Sequence, residues 1–250
     1  MLLFDTALLL GAAFIAGALN AVAGGGSFLT LPALVFTGVP PVVANATGTV
    51  ALLPGYAASA WGFREDAEPP PGLTMGRLIV LSLAGGAAGA ALLLVTPDAT
   101  FRRIVPWLLL AATALFAFGP RLRQWTAGSH AAASPLRAAL GVLAVAAYGG
   151  YFNGGLGILL LALFGLLGQT QLHAMNGLKN LVSALLTVIA AGLYAAGGLV
   201  LWPQALAMAV AATAGGYGGA RLARRIPAPW LRAGIVATGL VMAVLFFLRG

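Results

Sequence analysis

AGGAAGAAL at residues 84–92 returns as AGGYGGARL at residues 214–222, displaced by 130 positions in a chain of 250. Without any gap, the same shift lays Gly24 and Gly25 on Gly154 and Gly155, Gly38 on Gly168, Ala44 on Ala174, Pro97 on Pro227 and Arg102 on Arg232. A chain with 35 glycines yields scattered matches by chance, but not in one unbroken register. The sequence reads as one unit written twice. Internal duplication in an apolar chain is the signature of many membrane transporters, in which substrate binds between the repeats.

Composition says which solvent the unit was written for. Hydrophobic residues make up 61%, charged residues 7%, and mean hydropathy is +1.00, so a water-soluble surface cannot be assembled. The apolar stretches are continuous Ala/Leu/Val/Gly blocks, not the alternation of a transmembrane barrel, so the expected class is an all-α, polytopic membrane protein. The formal charge of +8 does not imply nucleic acid, because the arginines sit in short loops beside apolar runs, where they set topology. With no cysteine there are no disulfides or thiolate chemistry. The N-terminal stretch lacks the basic start of a signal peptide and carries Asp5 instead, so it is read as the first membrane segment.

Five apolar segments fill the first half, at 5–22, 24–37, 44–62, 74–95 and 101–119; their copies run at 135–152, 154–167, 174–192, 204–222 and 231–249. The expected organisation is a first repeat at 1–120, a linker at 121–134 and a second repeat at 135–250. The second segment of each half has about 14 residues, about 21 Å of helix, against a hydrocarbon core of about 30 Å. It is therefore a broken crossing or a re-entrant hairpin. Counting all ten segments as crossings concentrates arginine in the loops after odd segments, which favours crossing and puts both termini outside the cytoplasm. Five crossings per half then make the two repeats inverted.

Two stretches in each half break the lipid-like pattern: residues 20–34 and 40–50, and their partners 149–163 and 171–180. Helices restarting after Gly24, Gly25 and Gly26, and after Gly154 and Gly155, would aim unpaired N–H groups into the gap between them, an arrangement that attracts anions. Lys179 is the only lysine, it lies inside an apolar stretch, and no acidic residue is near it in sequence. An ammonium there costs several kcal/mol unless it is hydrated or paired, which suits an exchangeable anion; snorkelling to the interface is the alternative. Ser27, Asn45, Thr47, Thr49, Asn153, Asn176 and Asn180 could add hydrogen bonds, and His173 is the other titratable group in the segments. No nucleotide-binding motif, nucleophile–base pair or metal-ligand spacing is present, so neither a cofactor, a metal nor an enzymatic activity is expected.

These residues resemble the sulfite exporter TauE/SafE family over nearly the whole chain. The likeness rests on AGGGSFLTLPAL and GVPPVVANATGT in the first half, and on YFNGGLGILLLAL, LHAMNGLKN and GGARLARRIP in the second. It implies a multi-pass protein of the bacterial cytoplasmic membrane that moves a small sulfur-containing anion, such as sulfite or a sulfonate, outward in the sense of an exporter. An anion channel, or a permease for another small anion such as a carboxylate, is the alternative. The expected partners are that anion and the bilayer, with a homodimer left open. Where the family often reads Ala-Thr-Asn, this chain has Ala46, Thr47 and Gly48.

Overall fold

The computed structural model describes residues 2–22, 25–62, 64–65, 67–126, 134–219 and 228–249. All regular structure among them is helical: α1 (Leu2–Val22), α2 (Ser27–Phe36), α3 (Pro41–Gly62), α4 (Met75–Leu94), α5 (Asp98–Thr126), α6 (Pro135–Tyr151), α7 (Leu156–Leu166), α8 (Leu172–Ala196), α9 (Trp202–Ala214) and α10 (Ala228–Arg249). Helix α9 continues into a single π-helical stretch, Gly215–Gly219. Three helices contain spans long and apolar enough to cross a membrane, at Leu3–Asn20, Met75–Leu94 and Ala174–Ala196. Trp107, Val210 and Leu248 are 64%, 72% and 78% exposed. So apolar an outer surface is costly in water and suits acyl chains.

The helix order of the first half recurs in the second. Helix starts in the two halves agree to within three residues at the 130-residue shift, and the helix partners recur. Helix α4 packs on α6 as α9 packs on α1, and α4 on α8 as α9 on α3; α3 meets its own counterpart α8, and α5 meets α10. Glycine is needed where these helices touch. A Cβ on Gly89 would lie 1.9 Å from the Ala147 carbonyl oxygen, and one on Gly17 1.9 Å from that of Ala212. Backbones approach this closely only where no side chain intervenes.

Helices α2 and α7 have ten and eleven residues, about 15 and 16 Å of helix. Gly26 lies against Ala16 of α1 and Leu52 of α3, and Thr30 against Gly48, so α2 runs antiparallel to α3. Asn20 faces Tyr56 one turn beyond the Ala16–Leu52 level, which makes α1 and α3 parallel. The chain therefore returns between α1 and α3 by way of α2, the geometry of a broken return leg.

Two segment boundaries differ from the sequence reading. Helix α5 continues through Thr126, so residues 121–126 of the expected linker are helical, and 127–133 lie outside the described residues. Arg121, Leu122, Arg123 and Gln124 are good helix formers, and their polarity had argued for a loop. The segment expected to stay α-helical to residue 222 turns π-helical at Gly215, in a GGYGG run with almost no side chains to pack the turn. Residues 220–227 lie outside the described residues, with Arg221, Arg224 and Arg225 among them.

Candidate functional site

The two helix breaks meet on one turn of α3. Gly26 abuts Leu52, and the side chain of Asn153, in the second break, accepts a hydrogen bond from the Tyr56 hydroxyl at 3.4 Å. Leu52 and Tyr56 are four residues apart, about 6 Å along a helix. Pro54 lies between them inside α3, so the Val50 carbonyl loses its helical partner at the same level.

The second break is built from left-handed backbone. Asn153 has φ 55° and Gly155 φ 71°, and the Gly154 N–H donates to the Phe152 carbonyl at 2.6 Å. Asparagine tolerates this conformation better than other non-glycine residues. Tyrosines hold it in place: Tyr148 donates to the Gly154 carbonyl at 2.6 Å, Tyr194 donates to the Gly150 carbonyl, and Tyr56 reaches Asn153. Tyr151 ends α6 and packs edge-on against Phe101. Four of the five tyrosines of the chain thus gather at one break. At the 130-residue shift their first-half or second-half counterparts are Ala18, Ala21, Arg64 and Leu186, so the tyrosines are not repeated in the other half.

Three helix N-termini are capped by side chains, while α8 and α9 begin without a side-chain cap. Thr74 accepts from Arg77 at α4, Ser134 accepts from Arg137 at α6, and Asp98 accepts from Val42 at α3. The interior N-termini of α2 and α7 are not: each begins after a glycine, with no side-chain cap, and residues 25–28 and 152–157 are buried. Their first N–H groups, at Ser27 and at Leu156 and Gly157, carry the partial positive charge of the helix end.

Lys179 is 6% exposed and is the one buried charged residue among those described. Among the described residues no side-chain hydrogen bond or ion pair involves it; the ion pair among them joins Arg64 to Glu65 on the surface. Leu178, immediately before it, belongs to the same buried cluster as Leu156, the first residue of α7. An ammonium held away from water and carboxylates costs about 2.5–3.5 kcal/mol on insertion scales.

The remaining sequence candidates divide. Asn45 donates to the Tyr151 carbonyl at 3.0 Å, and Thr47 accepts from the Leu201 N–H at 3.1 Å, tying α3 to the end of α6 and the start of α9. Asn45 thereby holds the end of α6 beside the second break. Ser27, Thr49 and Asn180 are buried on α2, α3 and α8, and Asn176 is half-buried on α8. His173 lies in the first turn of α8 with its side chain outside the described residues, and Gly24 lies wholly outside them. A Cβ at Gly48 would lie 2.9 Å from the Thr30 hydroxyl, so the departure from Ala-Thr-Asn matches a close approach of α2.

Two cavities are described. One, of about 270 Å³, lies between Pro32, Pro41, Arg102 and Phe246 at one end of α2, α3, α5 and α10. The other, of about 350 Å³, lies between α1, α3 and α9 and is lined by Asn20, Leu52, Ser59, Thr213 and Tyr217 among others. Neither is lined by Lys179. Sequence reasoning missed Asn20 and Tyr56. Their partners are 97 residues or more distant, or lie on another helix, and nothing in the local pattern marks them.

The family model described as Sulfite exporter TauE/SafE matches residues 9–246. A probable membrane transporter protein, ORF9, of a Sinorhizobium species is 30% identical over 95% of this chain and 90% of its own length. A probable membrane transporter protein of Haemophilus influenzae is 30% identical over 86% of this chain and 84% of its own. The Escherichia coli probable membrane transporter protein YfcA is 27% identical over 94% and 88%. No solved structure matches the chain.

Proposed function

The chain belongs to the sulfite exporter TauE/SafE family of membrane transporters, and from that premise we propose that it moves a small sulfur-containing anion across the bacterial cytoplasmic membrane by alternating access, in the direction of export. The observation that carries the reading is the presence in one bundle of two buried helix N-termini without side-chain caps and one buried lysine with no side-chain partner among the described residues. All three sources of positive potential lie inside the bundle, where charge is expensive, and a bound anion offsets their cost. The seat comprises Gly25, Gly26 and Ser27 on one side, Asn153, Gly154 and Gly155 on the other, and Lys179 on α8. His173, Asn176 and Asn180 lie on the same helix.

Inverted repeats supply the means of alternation. Supporting the inversion, Trp107 of α5 packs on Phe247 of α10 while Thr113 packs against Gly239, so these equivalent helices run antiparallel. A two-fold axis along the membrane normal would leave them parallel. Moving a monoanion out of a negative-inside cell gains about 2.3 kcal/mol per 100 mV, enough to drive efflux without ATP.

The test is flux in proteoliposomes under an imposed potential, with sulfite, thiosulfate, sulfate, a short sulfonate and acetate compared. Saturable flux of one sulfur anion, accelerated when the compartment it leaves is negative, is expected. Saturable flux of acetate alone, or none for any anion, overturns the reading.

A further inference from the structure

Two orphaned polar atoms flank one phenol in the centre of the bundle. The Asn153 side chain is 1% exposed, and its Nδ2 has no hydrogen-bond partner; the Asn20 Oδ1 is likewise buried and unpaired. Both residues face the Tyr56 hydroxyl, Asn153 from the second break and Asn20 from the end of α1. A buried polar atom left unpaired costs about 1–3 kcal/mol, and two at one point mark a place where a ligand completes the hydrogen bonding. The existing bond is weak: 3.4 Å is long for O–H to O, whose usual length is about 2.7–2.8 Å. The hydroxyl can therefore be re-aimed at little cost.

The same asparagine joins this point to open space. Asn20 lines the 350 Å³ cavity between α1, α3 and α9, and Leu52, Gly55 and Ser59, on the α3 turns that carry Tyr56, line it as well. Its outer edge is Tyr217, 75% exposed, in the π-helical stretch. Such insertions in a helix occur often at functional sites. On the reading that the chain carries a small oxyanion, we infer that this cavity is the access chamber and that Tyr56, with Asn20 and Asn153, is the donor set that selects the anion as it passes to the break. The phenol O–H and an Asn153 N–H donate to two oxygens of the ligand. The Asn20 amide offers an acceptor to a protonated oxygen, or by rotation a third donor.

The absence of cysteine makes the test free of background. Anion flux is measured on Tyr56→Phe, and on Ser59→Cys before and after a membrane-impermeant thiol reagent is added to the same vesicles, with Ala58→Cys as a second position. Loss of one hydrogen bond to an anion raises the half-saturating concentration about ten-fold or more in Tyr56→Phe, at an unfolding temperature close to that of the parent. Modification of the cavity thiol stops flux, and saturating anion slows the modification. If Tyr56→Phe saturates like the parent and both modified thiols leave flux intact while Lys179→Ala abolishes it, the chamber is refuted and the transport reading stands. Absence of anion flux in the parent overturns both.

Discussion

Replacing Gly89 by alanine tests whether the halves are joined backbone to backbone. The added Cβ falls 1.9 Å from the Ala147 carbonyl oxygen, about 1.6 Å inside the separation of about 3.5 Å at which non-bonded heavy atoms rest. The obstacle is main chain on both sides, 2.8 Å from the Tyr151 nitrogen as well, so no rotamer relieves it. Helices α4 and α6 must separate, and overpacking of this kind costs about 3 kcal/mol. The matched control is Gly192→Ala in α8, where no atom lies within 4 Å of the new Cβ. There the substitution adds helix propensity, about 0.5–1 kcal/mol. At about 2–4 °C per kcal/mol for a chain of this size, thermal unfolding in detergent falls by about 6–12 °C for Gly89→Ala and rises by about 1–4 °C for Gly192→Ala. Gly89→Ala unfolding within about 2 °C of the parent, or Gly192→Ala proving the more damaging, would refute the packing argument.

Three further outcomes follow from named contacts. Gly48→Ala lowers stability by about 1–3 kcal/mol through its clash with Thr30, and adding Thr30→Ala recovers about 1 kcal/mol of it, read as the coupling in a double-mutant cycle. Tyr148→Phe leaves the buried Gly154 carbonyl unpaired and costs about 1–3 kcal/mol in thermal unfolding, with faster amide exchange over residues 152–157. Thr47→Val removes the acceptor for the Leu201 N–H, so exchange at that amide rises about ten-fold while the middle of α9 stays protected.

The fold lay close to the surface of the sequence because its two strongest determinants are local. Apolar length fixed the ten segments, and the repeat of AGGAAGAAL as AGGYGGARL fixed their correspondence, so that α2 and α7 emerged as short helices behind glycine breaks. Polarity misled at residues 121–126, where arginine-rich text is helical, since composition reports solvent contact and not backbone conformation. The π-helical turn at Gly215 was not legible, because a glycine run marks a weak helix without saying how its hydrogen bonds shift. At the site, Lys179 stood out as the only lysine in an apolar run, and the structure buries it. Asn45 and Thr47 are ligand donors by type, and their bonds to Tyr151 and Leu201, more than a hundred residues away, were not legible in the local pattern. Tyr56 gave no signal: an aromatic in a membrane helix is ordinary until its hydroxyl is seen to touch Asn153, 97 residues away.

The charge on Lys179 is the centre of the account, and anion flux through Lys179→Ala measures it directly against Arg103→Ala, a loss of the same charge from an exposed position. Proteoliposomes of matched protein content, under an imposed potential, should show flux collapsing about a hundred-fold in Lys179→Ala, the loss of a charge-assisted contact of about 3 kcal/mol, with Arg103→Ala close to the parent. Equal flux in the two variants, with both folded, would contradict the account.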